Sequence, residues 1–302
     1  MSSGLRAAAY KVAGPRLDYL LHLRPAEWPI MAAHTLLGYL LAVELAGAAH
    51  GEHVGAAALA LFAWVACLNG GTLAINSAFD RDEGDIAYLR KPPPPPRHLF
   101  GFGLALMAVG QGIALLLPRG FTGAYAICFG LSVLYSVPPF RLKSVAGADW
   151  LINMWGFGAL TPYAGWAATG RPLEVGPALV ILGFCPLFAA LYPLTQLYQL
   201  DEDRARGDRT LALRLGTRRS LDVAIGGVLV AFALFATAQA VAGRSGWRWV
   251  PPAAGLVAWL AVLLPWRAGH ARYSASDHQR GMYLALGAWA ATDLGVLLAW
   301  AA

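Results

Sequence analysis

The sequence predicts an all-α protein: a polytopic membrane bundle of nine transmembrane helices, built as one domain over residues 1–302. The chain is 58% hydrophobic and only 13% charged, with a mean hydropathy of +0.52, which is unusual for a soluble domain. Apolar stretches long enough to cross a hydrocarbon core of about 30 Å recur along it. These stretches lack the alternating pattern of strands, which favours helices over a barrel.

The apolar segments follow one another with short polar connections. None of the connections is long enough to hold a second domain, so we expect the loops to act as lids on a single bundle. Cys67, Cys128 and Cys185 fall inside the segments, which favours a packing role for them. The predicted spans are residues 26–46, 54–79, 99–117, 120–138, 150–169, 175–199, 220–242, 249–266 and 281–301.

The positions of Lys and Arg predict the orientation of the bundle. With the N-terminus in the cytoplasm, only Arg119, Arg171, Arg244 and Arg248 of the 23 basic residues fall outside. This asymmetry predicts the N-terminus in and the C-terminus out. The net charge of +6 then describes a basic cytoplasmic rim, and we expect no nucleic-acid partner. We expect a multi-pass protein of the cell inner membrane, in contact with membrane lipid, whose active site faces the cytoplasm.

Two acidic clusters, at residues 76–85 and 199–208, each close a long apolar segment. Together they hold eight of the 17 carboxylates of the chain. Hard cations such as Mg²⁺ take oxygen ligands and bridge phosphates, so the clusters predict a divalent-cation site and an enzyme acting on a diphosphate. The alternative is that these acids are solvated loop ends that neutralise nearby arginines. Two clusters in equivalent topological positions argue against that alternative.

Helical spacing selects residues within the first cluster. Asn76, Asp80 and Glu83 stand at i, i+4 and i+7, which predicts one stripe on the cytoplasmic end of the second span. Asp82 and Asp85 lie beside this stripe as further ligands or lid residues.

The second cluster repeats the pattern on the sixth span. Gln196, Gln199 and Asp203 stand at i, i+3 and i+7, and Tyr192 extends the stripe one turn deeper. We expect the two stripes to hold Mg²⁺ between them. The adjacent acids are Asp201, Glu202 and Asp208.

Two basic segments accompany the acids. The run Tyr135-Ser-Val-Pro138-Pro139-Phe-Arg141-Leu-Lys143 closes the fourth span, and its cations are placed either to bind a diphosphate or to reach lipid headgroups. The run Lys91-Pro-Pro-Pro-Pro-Pro-Arg97 predicts a stiff polyproline II segment. It either holds its cations at fixed distances from the first cluster or is only a spacer.

Three polar residues lie inside the spans. We expect Asn153 to orient an acceptor or to pair with a neighbouring helix, and His34 to be a helix-packing polar group. Asp293, which lies far from the cytoplasmic acids, predicts a local structural partner.

These segments together resemble the UbiA superfamily of intramembrane prenyltransferases over nearly the whole chain. The closest correspondences are the Tyr135–Lys143 run, the tail Asp203-Arg-Ala-Arg-Gly-Asp-Arg-Thr-Leu-Ala-Leu-Arg-Leu-Gly216, and Arg24-Pro25 with Trp28. Two positions depart from the family pattern. Gly84 stands where the last Asp of the first motif belongs, and Gln199 stands where the second motif usually opens with Asp.

The resemblance implies a Mg²⁺-dependent enzyme that binds an isoprenyl diphosphate and a lipid-soluble acceptor. It implies catalytic roles for Asn76, Asp80 and Asp203. The implied metal ligands are Asn76, Asp80, Glu83, Asp85, Asp201 and Asp203, and the implied substrate-binding residues are Lys91, Arg97, Tyr135, Arg141, Lys143, Tyr192, Gln199 and Arg204. The aromatic candidates for stabilising an allylic carbocation are Tyr135, Trp155, Tyr163 and Tyr192.

Three functions remain open at this stage. The leading hypothesis is transfer of a prenyl group to an aromatic or similarly electron-rich acceptor, with release of pyrophosphate. The second is a membrane terpene cyclase on the same fold, which the departures at Gly84 and Gln199 keep open. The third is a cation transporter, which would require acids buried in mid-span. Prenyl chain length, acceptor identity and oligomeric state are not predicted.

Overall fold

The computed structural model describes residues 3–80, 89, 91–145, 147–206 and 210–302, and this part of the chain contains helices and no strand. We number the twelve main helices in chain order. They are α1 (Ser3–Ala13), α2 (Leu17–His22), α3 (Trp28–Ala49), α4 (Val54–Asp80), α5 (Leu99–Ala114), α6 (Arg119–Ser136), α7 (148–167), α8 (Val175–Leu194), α9 (Leu200–Arg206), α10 (Leu211–Val241), α11 (Val250–Gly269) and α12 (Ala275–Trp300).

The prediction of an all-helical membrane bundle is confirmed. The main part of each predicted span lies on a helix, namely α3 to α8 and α10 to α12, but the sixth span, residues 175–199, continues past the end of α8 at Leu194. Within the described ranges, six helical segments are long and apolar enough to cross a membrane: Trp28–Ala49, Val54–Asp80, Val175–Gln199, Leu211–Val241, Gly246–Arg272 and Ala275–Trp300. Helix α5 is apolar but shorter.

Two of the long helices contain a π-helical segment, Phe62–Asn69 in α4 and Met154–Leu160 in α7. A π segment widens the turn and often marks a functional site. In α7 the segment ends where Thr161 begins the next turn, and the Thr161 hydroxyl donates to the Gly156 carbonyl at 2.8 Å. Periodicity in the sequence does not reveal these segments.

Small residues set the distances between the central helices. A Cβ atom on Gly38 would collide with the Pro162 carbonyl oxygen, and one on Gly165 would collide with that of Thr35. These glycines let α3 and α7 approach backbone to backbone, as is common in membrane bundles. Gly158 similarly brings α7 against the backbone of α8 at Phe184 and Cys185.

The apolar interior has two large parts. One surrounds Trp64, Phe121 and Tyr125 of α4 and α6, and the other surrounds Phe184 and Trp259 of α8 and α11. Large apolar side chains are exposed on the outer surfaces, which suits contact with lipid. All three cysteines are buried and free, in agreement with a packing role.

The expected partner of Asp293 is His34. The Asp293 carboxylate lies 3.6 Å from the Nδ1 atom of His34, between α12 and α3. The rings of Phe184 and Trp289 pack against the imidazole with centroids 4.7 and 5.3 Å away. The pair therefore links two helices that are remote in sequence.

Candidate active site

Asp80 is the last residue of α4 and lies beside the two cations that follow α6. The Oδ1 atom of Asp80 contacts Lys143 Nζ, and it lies 3.3 Å from the guanidinium of Arg141. The Lys143 side chain is only 12% exposed, so its charge is held at this position. Asp80 therefore holds together two cations of the kind that bind phosphate oxygens.

The backbone after α6 presents these cations. Val137 is extended, and Arg141 adopts a left-handed conformation with φ 39° and ψ 53°. A non-glycine residue seldom occupies this region, and such strain concentrates at functional sites. The Arg141 amide is fixed by a hydrogen bond of 3.0 Å to the Val137 carbonyl. The sequence placed Arg141 and Lys143 on the side of the acids, and the structure brings both to Asp80.

Asn76 lies one turn before Asp80 on the same face of α4. Its Oδ1 atom accepts a hydrogen bond from Ser136 Oγ at the end of α6. This contact fixes α4 against the helix whose C-terminus supplies the cations. Glu83 and Asp85, the other predicted ligands of the first cluster, lie outside the described residues, as does Gly84.

A buried polar network lies beside Asn76. Tyr192 Oη donates to the Asp149 carboxylate at 3.1 Å, and the Gly147 amide donates to the same carboxylate at 2.9 Å. Tyr135 interacts with the side chains of Tyr192 and Asn153. Asp149 is only 2% exposed and lies in the first turn of α7. The network therefore orients both predicted tyrosines through an acid that the sequence analysis did not select.

An apolar cavity of about 230 Å³ opens below this polar rim, between α3, α4, α6 and α7. Asn76, Tyr135 and Asn153 line its mouth. Its walls are mainly apolar, and the two π segments contribute to them: Trp64, Leu68 and Asn69 from α4, and Gly156 and Phe157 from α7. A space of this kind can hold a hydrocarbon chain whose polar end remains at the rim.

The second acidic cluster is not on a continuation of α8. The predicted stripe of Gln196, Gln199 and Asp203 assumed an unbroken helix, but α8 ends at Leu194, and a short 3₁₀ turn at Leu197–Gln199 precedes α9. Proline at position 193 removes a backbone donor and weakens the last turn of α8. Gln196, Gln199 and Asp203 are therefore not on one continuous α-helix.

The polar groups near this break face the start of α10. Gln196 Oε1 accepts from the Ala212 amide at 3.1 Å, and the Asp203 carboxylate accepts from the Thr210 hydroxyl at 3.4 Å. Asp203 is only 4% exposed. Gln199 donates to Tyr198 Oη at 3.0 Å.

Asp201 and Arg204 lie elsewhere on α9. They form an ion pair of 2.8 Å with each other, and the Asp201 side chain is 97% exposed. Asp201 is therefore exposed and Asp203 is buried, although both belong to the predicted set of metal ligands.

The N-terminal helices fix the polyproline segment. Arg6 donates to the Lys91 carbonyl at 2.8 Å, and the buried imidazole of His22 bonds to the Pro93 carbonyl at 3.1 Å. Burial, reinforced by the nearby Arg24, lowers the pKa of His22. Lys91 and Arg97 are both exposed at the two ends of the segment.

The donor chemistry at the rim fits Mg²⁺. The predicted ligands that the structure describes offer carboxylate and amide oxygens, which hard cations prefer. Asp80 already attracts two positive groups. Among the described residues no three His, Cys, Asp or Glu side chains converge on one point.

Several polar residues of the site were not identified from the sequence. Ser136 and Asp149 gave no distinctive pattern, because their partners lie on other helices. Asn69 and Thr72 had a usable signal: they precede Asn76 by seven and four residues and so continue its stripe into the cavity.

The fold and the site define a class: a helical membrane protein in which a charged cluster opens onto an apolar cavity. The sequence profile of the UbiA prenyltransferase family matches residues 33–291. The chain therefore belongs to this family of prenyltransferases.

Individual relatives agree with the family assignment. The chain is 30% identical over 220 residues to lycopene elongase/hydratase of Halobacterium salinarum, covering 70% of this chain and 76% of the relative. It is 34% identical over 193 residues to digeranylgeranylglyceryl phosphate synthase of Natronomonas pharaonis, covering 61% and 68%. A solved UbiA homologue from Archaeoglobus fulgidus, bound to DMAPP and Mg²⁺, has the same fold, with a TM-score of 0.66, 18% identity and coverage of 91% and 99%.

Proposed function

We propose that this protein transfers an isoprenyl group from an allylic prenyl diphosphate to a lipid-soluble acceptor and releases pyrophosphate. The observation that carries the proposal is the position of Asp80, Arg141 and Lys143 above an apolar cavity whose mouth is lined by Asn76 and Tyr135. A prenyl diphosphate has the same two parts, a polyanion and a hydrocarbon chain. The A. fulgidus homologue bound to DMAPP and Mg²⁺ supports this choice of substrate.

The proposed reaction breaks the bond between C1 of the prenyl group and the diphosphate oxygen. Lys143 and Arg141 pair with the departing pyrophosphate, and the cavity holds the chain away from water. Tyr135 lines the cavity, where its ring can stabilise the allylic cation, and it interacts with Tyr192 and Asn153. The acceptor then bonds to C1 and gives up a proton to the released pyrophosphate.

Asn76, Asp80 and Asp203 are the described residues proposed to hold Mg²⁺, with Glu83, Asp85 and Asp201 as the other candidates. A bound Mg²⁺ supplies positive charge that neutralises the diphosphate leaving group. We further propose that Lys91, Arg97, Gln199 and Arg204 bind the substrate. They lie in the segments that follow α4 and α8.

We propose that all nine predicted spans cross the membrane, with the site facing the cytoplasm of an inner membrane. Three of the four basic residues assigned to the outer side, Arg171, Arg244 and Arg248, line one cleft. Arg171 bonds to the Ala42 carbonyl near the C-terminal end of α3. Asp80 ends the next helix, which runs in the opposite direction, so cleft and site belong to opposite ends of the bundle.

The test uses purified protein in nanodiscs with Mg²⁺ and labelled geranyl, farnesyl or geranylgeranyl diphosphate. The transferase requires pyrophosphate release that depends on an added acceptor, which we would supply as an aromatic or glycerol-ether lipid. Release without acceptor, accompanied by a hydrocarbon or terpene alcohol, indicates the cyclase instead. Absence of turnover with every diphosphate, together with ion flux in liposomes, would refute both and favour the transporter.

A further inference from the structure

Trp64 closes the inner end of the apolar cavity. It belongs to the π segment of α4, and of the α4 residues that line the cavity it lies farthest from Asp80. Phe121 and Tyr125 pack behind the indole, are fully buried and do not line the cavity. Trp64 itself is only 1% exposed, as expected for a side chain that protein atoms enclose on every side except the one that meets the cavity.

The indole of Trp64 is held in place from two sides. Its Nε1 atom donates at 3.2 Å to the hydroxyl of Thr161, which lines the same end of the cavity from α7. The rings of Phe121 and Tyr125 meet the indole edge to face, with centroids 5.9 and 6.1 Å away, an arrangement that aromatic pairs favour. Trp64 cannot swing aside without losing these contacts, so the inner end of the cavity is rigid.

The depth of the cavity can be compared with the length of a prenyl chain. Trp64 precedes Asn76, which lies at the mouth, by twelve residues, and this corresponds to about 18 Å along α4. A fully extended chain advances about 3.3–3.6 Å for every three main-chain bonds, so an isoprene unit, which contributes four such bonds, spans about 4.5–5 Å. A chain that lies along α4 with C1 at the mouth therefore meets the indole at about its fourth isoprene unit.

We propose that Trp64 limits the length of the prenyl chain that this protein accepts. The inference rests on the proposed function, because it takes the prenyl tail to be the occupant of the cavity. A longer chain must displace the indole or leave the cavity, and a close-packed apolar site resists added methylene groups. The donors are therefore allylic diphosphates of up to about four isoprene units.

Competition among donors tests the proposal. Purified full-length protein in nanodiscs receives equimolar geranyl, farnesyl, geranylgeranyl and geranylfarnesyl diphosphates together with Mg²⁺ and an acceptor mixture. Mass spectrometry follows the consumption of each diphosphate, which gives the ratios of their kcat/KM values. These ratios compare donors within one sample, so a partial loss of folded protein does not change them. We expect wild-type protein to use geranylfarnesyl diphosphate at least about tenfold less well than geranylgeranyl diphosphate.

Variants at the inner end and in the wall of the cavity should shift the limit in opposite directions. Trp64→Ala removes an indole that has more ring atoms than an isoprene unit has carbons, so the ratio of geranylfarnesyl to geranylgeranyl consumption should rise about tenfold. Trp64→Leu should give a smaller rise. Gly156 lines the cavity from α7, and a Cβ atom there would meet no atom within 4 Å. Gly156→Leu should therefore shorten the cavity and lower the ratio of geranylgeranyl to geranyl consumption about tenfold.

Trp259→Ala is the matched control. Trp259 is buried and donates from Nε1 to the Thr292 hydroxyl at 3.1 Å, much as Trp64 does to Thr161, but it lies in the other part of the apolar interior and does not line the cavity. This variant should keep the wild-type ratios.

Two results would overturn the proposal: wild-type ratios in both Trp64 variants, or a wild-type protein that uses geranylfarnesyl as readily as geranylgeranyl diphosphate. Both results require turnover of a diphosphate and so leave the proposed function standing. If wild-type protein consumes no donor of any length, the proposed function is refuted and this inference with it.

Discussion

Asp80 is the acid that two cations approach in the described part of the rim. Arg141 and Lys143 both approach its Oδ1 atom, and Lys143 is mostly withdrawn from solvent. Guanidinium and ammonium groups bind phosphate oxygens, and we attribute the proposed binding of the diphosphate to these two cations.

The first prediction concerns Lys143. Replacing it by Met keeps the length of the side chain and removes the charge, so kcat/KM for the prenyl diphosphate should fall about 10²- to 10³-fold. Steady-state release of pyrophosphate measures the change. Arg267→Met is the matched control, because Arg267 pairs with the exposed Asp222 away from the cavity. Equal losses in the two variants would contradict the assignment.

The second prediction separates two acids on α9. Asp203 is buried and bonded to Thr210, whereas Asp201 is exposed and paired with Arg204. Asp203→Asn should lower Mg²⁺-dependent turnover at least about tenfold more than Asp201→Asn does. A titration of activity against Mg²⁺ concentration measures both. A larger effect at Asp201 would show that burial does not identify the ligand.

At the scale of single residues, the sequence predicted the positions with strong local spacing. Asn76 and Asp80 share a face of α4, and the two cations after the Pro-Pro pair reach Asp80. Ser136 and Asp149 were missed because each acts through a partner on a different helix. Only the packing of the bundle brings those partners together.

At the scale of elements, the boundaries of most predicted spans agree with those of the helices to within a few residues. The interruptions within and after the helices were not predicted. The break between α8 and α9 follows a proline, and side-chain bonds to the start of α10 stabilise it. The π segments of α4 and α7 are as apolar in sequence as the α-helical turns around them, so hydropathy does not distinguish them. Hydropathy therefore identifies a helix without revealing the irregular turns that shape its functional face.

The N-terminal helices provide a prediction of pH dependence. Burial lowers the pKa of His22 below the ordinary value of about 6.5, so the folded state holds His22 neutral. Between the two pKa values the unfolded chain binds more protons. The stabilising effect is therefore present above about pH 6.5 and is lost as the pH falls through and below it.

His22→Gln retains a donor for the Pro93 carbonyl and does not titrate. The thermal midpoint of wild-type protein should therefore fall relative to that of this variant between pH 7.5 and pH 5.5. Differential scanning fluorimetry in a fixed detergent measures the difference. A constant difference across this range would exclude His22 as the titrating group.

At the scale of the whole molecule, the close approach of α3 and α7 fixes one side of the cavity. Gly38→Ala should destabilise the protein by about 1–3 kcal/mol, because the added methyl group meets the Pro162 backbone. Gly112→Ala is the control, since its added methyl group meets no atom within 4 Å. Thermal unfolding in detergent should show a loss for the first variant and little change or a gain for the second. Similar midpoints would contradict the packing described.

The bundle of apolar helices was evident from hydropathy, because a bilayer demands long apolar helices. The depth of the cavity was not evident from the sequence, since it depends on small residues and π turns on helices that are far apart in the chain. The resemblance to prenyltransferases was visible in motifs, and the family profile confirms it.

The most direct test of the central claim is Mg²⁺-dependent release of pyrophosphate from labelled geranylgeranyl diphosphate by Asp80→Ala in nanodiscs with an acceptor mixture. Asp222→Ala serves as the matched control, because it also removes a carboxylate paired with arginine. We expect Asp80→Ala to lose at least about 10²-fold in rate while Asp222→Ala stays near the wild-type rate. An Asp80→Ala enzyme as active as wild type would contradict the account.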